Sequence, residues 1–176
     1  RWPVGTSVAT IALCDEVTNL VLKAWAQIVP EKAMAGIGEY CAANFIGSGR
    51  SAKGEDYAHV FYLAASGGGA TARHDGIPHM FGACIMGNMG YESIELVELA
   101  RPLYVWEVCA IPDSGGAGHY RGAVGVRHRI QPRNHTMNIL YGGSGHTCPA
   151  FGLGQGSSGT VANHWDKDFK SGDILN

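Results

Sequence analysis

Charged side chains are scarce in this sequence: Asp, Glu, Lys and Arg make up 16% of the 176 residues, and the net charge is −2. Globular domains carry about a quarter of charged residues, so the low value indicates a surface that is partly covered by something else. Lys and Arg form no basic patch or run, which argues against nucleic acid and membrane surfaces as partners. No apolar run is long enough to cross a bilayer.

Cysteine pairs at metal-binding or redox spacing are also missing. The five cysteines are odd in number, no two form C-x-x-C, and each lies in an apolar or glycine-rich stretch: Cys14, Cys41, Cys84, Cys109 and Cys148. We therefore expect neither a disulfide framework nor a thiolate zinc site, and the expected location is the cytoplasm. The chain opens at Arg1 without a signal peptide or initiator Met, so we expect residues 1–176 to be a fragment or processed subunit.

What is abundant is glycine, with 26 residues, which predicts tight turns between short elements. Apolar residues at helical spacing predict a helix over 15–30: they are Val17, Leu20, Val21, Ala24, Trp25 and Ile28. Aromatic and β-branched runs predict five strands: 57–65, expected to be buried on both faces, 93–99, 103–111, 124–130 and 137–141. The predicted fold is α+β, with an N-terminal helix and a mostly antiparallel sheet of short strands joined by glycine-rich segments.

Nucleotide-binding and hydrolase motifs are absent or incomplete. No G-x-x-x-x-G-K-[ST] loop occurs, and the glycines of 152–156 are followed by no helix pattern, which a Rossmann fingerprint requires. No G-x-S-x-G elbow is present. Cys148 near His146 is a local candidate for cysteine catalysis, although a structural cysteine in a loop is the favoured interpretation. If the protein works with ATP, the nucleotide binds elsewhere.

Histidines offer a second kind of candidate site. His74 and Asp75, with His79 nearby, form the best local cluster of metal-ligand types among the eight histidines. A polar loop after the glycines of 67–69 is the favoured interpretation. The sequence therefore assigns no metal ligand.

The stretch IPDSGGAGHYRG, residues 111–122, leaves two interpretations open. Asp113 and Ser114 can hydrogen-bond their own backbone, and glycine supplies positive φ, which is typical of a demanding turn between strands. Alternatively, the loop amides and Arg121 could hold a carboxylate or phosphate at two points. The residue types alone do not decide between a turn and a ligand loop.

A longer pattern contains this stretch. PDSGGAGHYRGAVGV, beginning at Pro112, resembles the D-S-G-G-x-G-x-x-R-G-G-x-G signature of the hydantoinase B family. Three further segments resemble family segments in the same order: GGGATARHDG at 67–76, ESIELVELARPL at 92–103 and PAFGLGQGSSG at 149–159. On this resemblance the chain is the C-terminal part of a hydantoinase-B-type subunit. The family includes N-methylhydantoinase B, 5-oxoprolinase and the large subunits of acetone and acetophenone carboxylases.

The resemblance implies an ATP-dependent enzyme that is active only as a complex. ATP binds to a hydantoinase-A-type partner subunit and phosphorylates a carbonyl or enol oxygen of a small substrate. Water then attacks a cyclic amide, or an enol phosphate is carboxylated. The resemblance also implies a divalent metal held outside this segment, in the remainder of the B-type subunit. Because a buried Arg and backbone amides suit anionic intermediates, the candidate catalytic residues are Arg121, Asp113, Ser114, His74 and Asp75.

Two departures from the family pattern bear on the substrate. Ala123 stands where the signature has a second glycine. The stretch 78–93 keeps His79, Met80 and Asn88 only loosely from the H-x-H-M-T-N-T segment of the hydantoinase and oxoprolinase branches. This favours a ketone carboxylase of the acetone or acetophenone type. A cyclic amide hydrolase is the alternative, and a structural interface portion without catalytic residues is a further one.

Overall fold

The structure is a computed structural model, and it describes residues 12–38, 46–50, 53–60, 67–78, 80–81, 87–88, 92–140 and 148–161. These stretches form an α+β fold, as the sequence predicts. In chain order the elements are α1 (Ala12–Trp25), a 3-10 helix (Pro30–Lys32), β1 (Ile46–Arg50), β2 (Asp56–Val60), β3 (Met80–Phe81), β4 (Gly87–Asn88), α2 (Ile94–Ala100), β5 (Leu103–Ala110), β6 (Val126–Pro132) and β7 (Met137–Leu140). Of the helices in these ranges, none has the length and apolarity needed to span a membrane.

The first helix confirms the predicted N-terminal helix, although α1 ends at Trp25 rather than at Pro30. Beyond Trp25 the hydrogen bonding tightens, since the amide of Ile28 donates to the Trp25 carbonyl over 2.9 Å. A proline disfavours the helical conformation of the residue before it, and Val29 accordingly leaves the helical region with φ −136° and ψ 67°. Pro30 therefore ends the helical conformation at Val29, and residues 26–28 between the helix and Val29 form a turn.

The strands form small antiparallel sheets in the described part of the chain: β2-β1-β7, β3-β4 and β5-β6. The predicted strand over 57–65 is confirmed as far as Val60, and residues 61–66 lie outside the described ranges. Its predicted burial on both faces is wrong for residues 57–59, because Ala58 is exposed. The reason is that β2 belongs to an antiparallel sheet, which can face water on one side, whereas burial on both faces is typical of parallel sheets. Sequence reasoning missed β1, since glycine at two of its five positions lowers its strand propensity.

The strand predicted over 93–99 is wrong: this segment is helix α2. Ser93 caps the helix, because its hydroxyl accepts a hydrogen bond from the Leu96 amide over 3.4 Å. Glu95 lies in the first turn, where a negative charge suits the helix dipole. Val97 is the buried residue of the helix. Ser93 followed by Glu95 was the available signal of a helix start. The apolar residues after it favoured the prediction of a strand instead.

The β5-β6 ribbon confirms two predicted strands, with β6 shifted by two residues toward the C-terminus. A bulge interrupts the register between Val105 and Glu107, so that Trp106 is an extra residue opposite Arg129. Beyond the bulge Val108 pairs with His128. Because of the extra residue, Val105 and Val108 lie on the same face of the ribbon although they are three positions apart. Val97, Leu103 and Ile130 are buried here, and they form part of the core.

Within this ribbon His128 is the titratable group that folding perturbs most clearly. Burial lowers the pKa of His128 from 6.5 to about 4, since the protonated ring loses its hydration inside the protein. The unfolded chain binds a proton at this side chain below about pH 6.5, whereas the native state does not until about pH 4. The contribution of the neutral His128 ring to the free energy of unfolding is therefore complete above pH 6.5. It decreases as the pH falls from 6.5 to about 4.

We expect the free energy of unfolding to fall by about 2 kcal/mol between about pH 7 and about pH 5 because of His128 alone. The measurement is urea unfolding followed by tryptophan fluorescence. His128→Gln should reduce this pH dependence, since glutamine does not titrate. His119→Gln is the matched control, because His119 is exposed; equal pH dependence in both variants would contradict the assignment.

Candidate functional site

Four loop segments meet in one place, which we call the glycine junction: residues 33–38, 67–77, 111–125 and 149–160. They are joined mainly by main-chain hydrogen bonds. The amide of Gly36 donates to Phe151 over 2.8 Å, the amide of Ala123 donates to Gly68 over 3.0 Å, and the amide of Thr160 donates to Ser114 over 3.0 Å. Three of the segments that carry the sequence resemblance therefore come together in space, although they are far apart in sequence.

Glycines make this close approach possible. A Cβ on Gly69 would lie 1.9 Å from the Ala35 carbonyl oxygen, and one on Gly115 would lie 2.1 Å from the Gly122 oxygen. A Cβ on Gly116 would lie 2.3 Å from the Ser157 oxygen. Such contacts are far inside van der Waals distance, and backbone carbonyls cannot swing away as a flexible side chain can. The junction therefore requires glycine at these positions for space.

Ala123, which departs from the family signature, fits the same rule. Its own Cβ lies 2.9 Å from the place that a Cβ on Gly67 would occupy. The missing side chain of Gly67 thus leaves room for the methyl group of Ala123. The departure is accommodated within the junction rather than weakening it.

Asp113 rather than a glycine provides the left-handed backbone in this turn. Its φ is 56°, and among the described glycines positive φ occurs at Gly54 and Gly154 instead. The expectation that the glycines of 115–116 supply positive φ is therefore wrong. Asp tolerates the left-handed region better than most residues. The side chain of Asp113 is exposed at the start of the loop.

Ser114 closes the base of the loop. Its side chain is buried, and its hydroxyl donates to the Ile111 carbonyl over 2.8 Å while accepting from the Gly125 amide over 2.7 Å. The hydroxyl thereby bridges the two strands where the loop leaves and returns. In this arrangement Ser114 fixes the loop's geometry and its hydroxyl hydrogen is already engaged.

Asp75 and Arg121 are brought together, but through the main chain of Arg121. The Asp75 carboxylate accepts from the Arg121 amide over 2.8 Å, and the Arg121 carbonyl accepts from the Gly76 amide over 2.8 Å. The sequence-based expectation of a buried Arg is wrong: the Arg121 side chain is exposed, and its guanidinium makes no hydrogen bond or ion pair with residues in the described ranges. Its backbone is therefore held on both sides while its charged end is left available.

His74 lies beside this pair, at the end of a turn that begins at Thr71. The Thr71 hydroxyl accepts from the His74 amide over 3.2 Å, and the Thr71 amide donates to the His74 carbonyl over 3.0 Å. The Nδ1 of His74 lies 3.0 Å from the Asp75 carbonyl oxygen, so that in the neutral ring the proton lies on Nδ1 and Nε2 is an acceptor. The ring is exposed.

All five candidate catalytic residues thus lie in the glycine junction, and their catalytic roles stay predictions. Sequence reasoning missed Ser157, whose hydroxyl accepts from the Ala117 amide over 2.8 Å and ties the last segment to the signature loop. Its position within PAFGLGQGSSG was the available signal. His79 and His146, which belonged to weaker candidate sites, lie outside the described residues.

A metal site does not form from the described side chains: they contain no group of three or more His, Cys, Asp or Glu residues arranged to hold an ion. The expectation that a divalent metal lies elsewhere in the subunit stays a prediction. Cys109 and Cys148 form no disulfide with another described residue. Cys109 donates to the Glu107 carboxylate over 2.8 Å, and this hydrogen bond raises the pKa of the thiol. Cys109 is therefore a poor nucleophile.

With this geometry in place, comparison with known proteins assigns the family. The Hydantoinase B/oxoprolinase family model matches residues 1–174, so the chain belongs to the hydantoinase B family. It is 30% identical over 139 residues to the caprolactamase β subunit of Pseudomonas jessenii, covering 78% of this chain and 24% of that subunit. It is 37% identical over 97 residues to the acetone carboxylase α subunit of Xanthobacter autotrophicus, covering 53% of this chain and 12% of that subunit.

Solved structures agree with the sequence relatives. The nucleotide-free structure of acetone carboxylase matches with a TM-score of 0.65 at 27% identity, over 78% of this chain and 18% of that one. ATP-dependent caprolactamase from Pseudomonas jessenii matches with a TM-score of 0.55 at 29% identity, over 62% of this chain and 19% of that one. The chain therefore spans a quarter or less of the length of these relatives.

The space requirement of the junction can be tested within the signature loop. Gly115→Ala should lower the free energy of unfolding by at least about 2 kcal/mol, because the new methyl group meets main chain that cannot yield without shifting the loop. Gly125→Ala is the matched control, since its Cβ would have its nearest neighbour at 3.6 Å, an ordinary contact. Urea unfolding of both variants provides the measurement, and equal stability would contradict the packing argument.

Proposed function

We propose that this chain is part of the hydantoinase-B-type subunit of an ATP-dependent enzyme that activates a small carbonyl substrate, and that Arg121 binds the negative charge which develops on it. Family membership and the two relatives, one a ketone carboxylase and one a lactam hydrolase by name, support the enzyme class. The role of Arg121 is supported by its geometry. The proposal places the chemistry at the glycine junction.

One observation carries the role of Arg121: its main chain is fixed by Asp75 and Gly76, yet its guanidinium is exposed. If the Arg121 side chain fixed the loop, its N–H groups would donate hydrogen bonds to loop carbonyls, as the Ser114 hydroxyl does. Here the loop is pinned without the guanidinium. The planar group can therefore offer two parallel N–H donors to an oxyanion or phosphate.

This arrangement suits the chemistry of the family. ATP, bound in a partner subunit of the hydantoinase A type, would supply the phosphoryl group that activates a carbonyl or enol oxygen. Removal of a proton from the carbon next to the carbonyl puts negative charge on that oxygen before it is phosphorylated, so a cation nearby lowers the barrier to this step. Arg121 would provide that charge, and His74, with Nε2 open as an acceptor, could take up a proton at the same edge.

Asp75, Ser114 and Asp113 have different proposed roles. Asp75 positions Arg121 by accepting a hydrogen bond from the Arg121 amide. Ser114 holds the two ends of the loop together, and Asp113 provides the left-handed residue at which the loop starts. We propose that these residues act by placing Arg121 rather than by touching the substrate. The non-catalytic alternative, in which the whole junction serves as an interface, shares these contacts and differs in predicting that loss of the Arg121 guanidinium has no effect on turnover in an intact complex.

For the substrate we propose a ketone, with carboxylation of an enol phosphate of the acetone or acetophenone carboxylase type. The divergent stretch 78–93 and the higher TM-score to acetone carboxylase support it. ATP-dependent hydrolysis of a cyclic amide is the second candidate. It is favoured by the longer alignment with the caprolactamase subunit, 139 residues against 97.

The role of Arg121 predicts that Arg121→Lys in the complete enzyme decreases kcat by about 100-fold, because an ammonium cannot form the two-point contact. Steady-state ATP turnover with the substrate measures this, and gel filtration should show an intact complex. Arg127→Lys is the matched control and should leave turnover unchanged. Arg127 is also exposed, but it lies on β6, where its guanidinium nitrogen is 4.0 Å from a carboxylate oxygen of Glu107. Normal turnover in Arg121→Lys, or disassembly of the complex, would support the interface alternative.

The substrate class predicts which compounds stimulate ATP hydrolysis by the purified complex. Acetone or acetophenone with bicarbonate should stimulate it, and the carboxylated product should be detected by mass spectrometry. Hydantoin, 5-oxoproline and caprolactam are the comparison compounds. Stimulation by a cyclic amide alone would replace the ketone with the second candidate and leave the enzyme class unchanged.

A further inference from the structure

Helix α1 sits on the glycine junction with its polar side inward. Asn19 is buried, its side-chain oxygen accepts from the Ile37 amide over 3.1 Å, and its side-chain nitrogen donates to the Ile37 carbonyl over 3.4 Å. One turn further on, the ammonium of Lys23 lies 5.3 Å from the centre of the Phe151 ring. These contacts fix the rotation of the helix about its axis.

The apolar side of the same helix consequently points outward. Its large side chains are between 53% and 78% exposed: Val17, Leu20, Val21, Trp25 and Ile28. These positions follow helical spacing and form one stripe without an ionisable side chain. A soluble helix ordinarily buries such a stripe. The hydrophobic pattern that predicted the helix therefore describes a surface rather than the local core.

We propose that this stripe, formed by residues 17–25 of α1 together with Ile28 in the turn that follows, docks against another part of the same hydantoinase-B-type polypeptide, outside residues 1–176. The proposal rests on the proposed function only in taking the chain to be part of such a subunit. The aligned region is 24% of the caprolactamase β subunit and 12% of the acetone carboxylase α subunit. Relatives of this chain thus carry most of their length outside the matching segment, so a subunit of this type has ample further polypeptide that could cover the stripe.

The size and chemistry of the stripe favour a segment of the same chain over a separate molecule. Stable interfaces between independent proteins bury about 800 Å² on each side, from roughly 20–30 residues. The stripe has five large side chains. A tethered segment needs less contact area, because the connection keeps its local concentration high. The absence of charge in the stripe is typical of permanent contacts, which resemble a domain core.

Photochemical cross-linking in the complete purified enzyme tests this. Trp25→p-benzoylphenylalanine places a reactive aromatic group of similar size on the stripe, and Glu31→p-benzoylphenylalanine is the matched control at an exposed position off the stripe. After irradiation, gel electrophoresis gives the mass of the product, and mass spectrometry of peptides identifies the captured residues. We expect the probe at position 25 to cross-link at least about tenfold more than the control, without an increase in mass, to a peptide outside residues 1–176.

Each other outcome overturns the proposal. A product of twice the subunit mass assigns the stripe to a second copy, and a product that contains another subunit assigns it to an interface of the complex. Capture of a peptide within 1–176 means that the chain covers its own helix, and equal yields at the two positions mean that the stripe faces solvent. Because the readout does not depend on catalysis, ATP turnover of the same sample shows separately whether the proposed function holds.

Discussion

The close approach of main chain to main chain at the glycine junction is the constraint on which the rest of the site depends. Gly69, Gly115 and Gly116 each face a carbonyl oxygen at a distance that leaves no space for a side chain. This contact lets amides and carbonyls of four distant segments pair directly. Side-chain hydrogen bonds from Ser114 and Asp75 then hold a backbone that glycine alone would leave free. The position of Arg121 is the product of both effects.

Local sequence patterns predicted those features of the fold that depend on one helix or one strand alone. The strands of the β5-β6 ribbon follow from their aromatic and β-branched residues, and the presence of α1 follows from its period of 3.6 residues. The signature loop was identifiable as a special segment because Asp, Ser and glycine are adjacent in it. The class of fold, α+β, follows from these elements together.

Features that depend on neighbours were beyond the reach of these patterns. The segment 94–100 is a helix because Ser93 caps it, while its apolar residues fit a strand equally well. The burial of β2 depends on its place in the sheet, which propensity does not contain. For the same reason the sequence could nominate Asp75 and Arg121 as candidates. It could not show that the Asp75 carboxylate accepts a hydrogen bond from the Arg121 amide. Such a contact is a property of the packed segments.

Because the signature loop is held by backbone contacts, the exposed side chains between Gly116 and Gly122 contribute little to holding it. Ala117 and His119 are exposed, and His119 meets the Tyr120 ring edge-on at 4.7 Å on the outer side of the loop. Their identity can therefore change while the frame stays in place. The outer surface of the loop is thus separable from its frame, because a change of side chain there leaves the backbone hydrogen bonds in place.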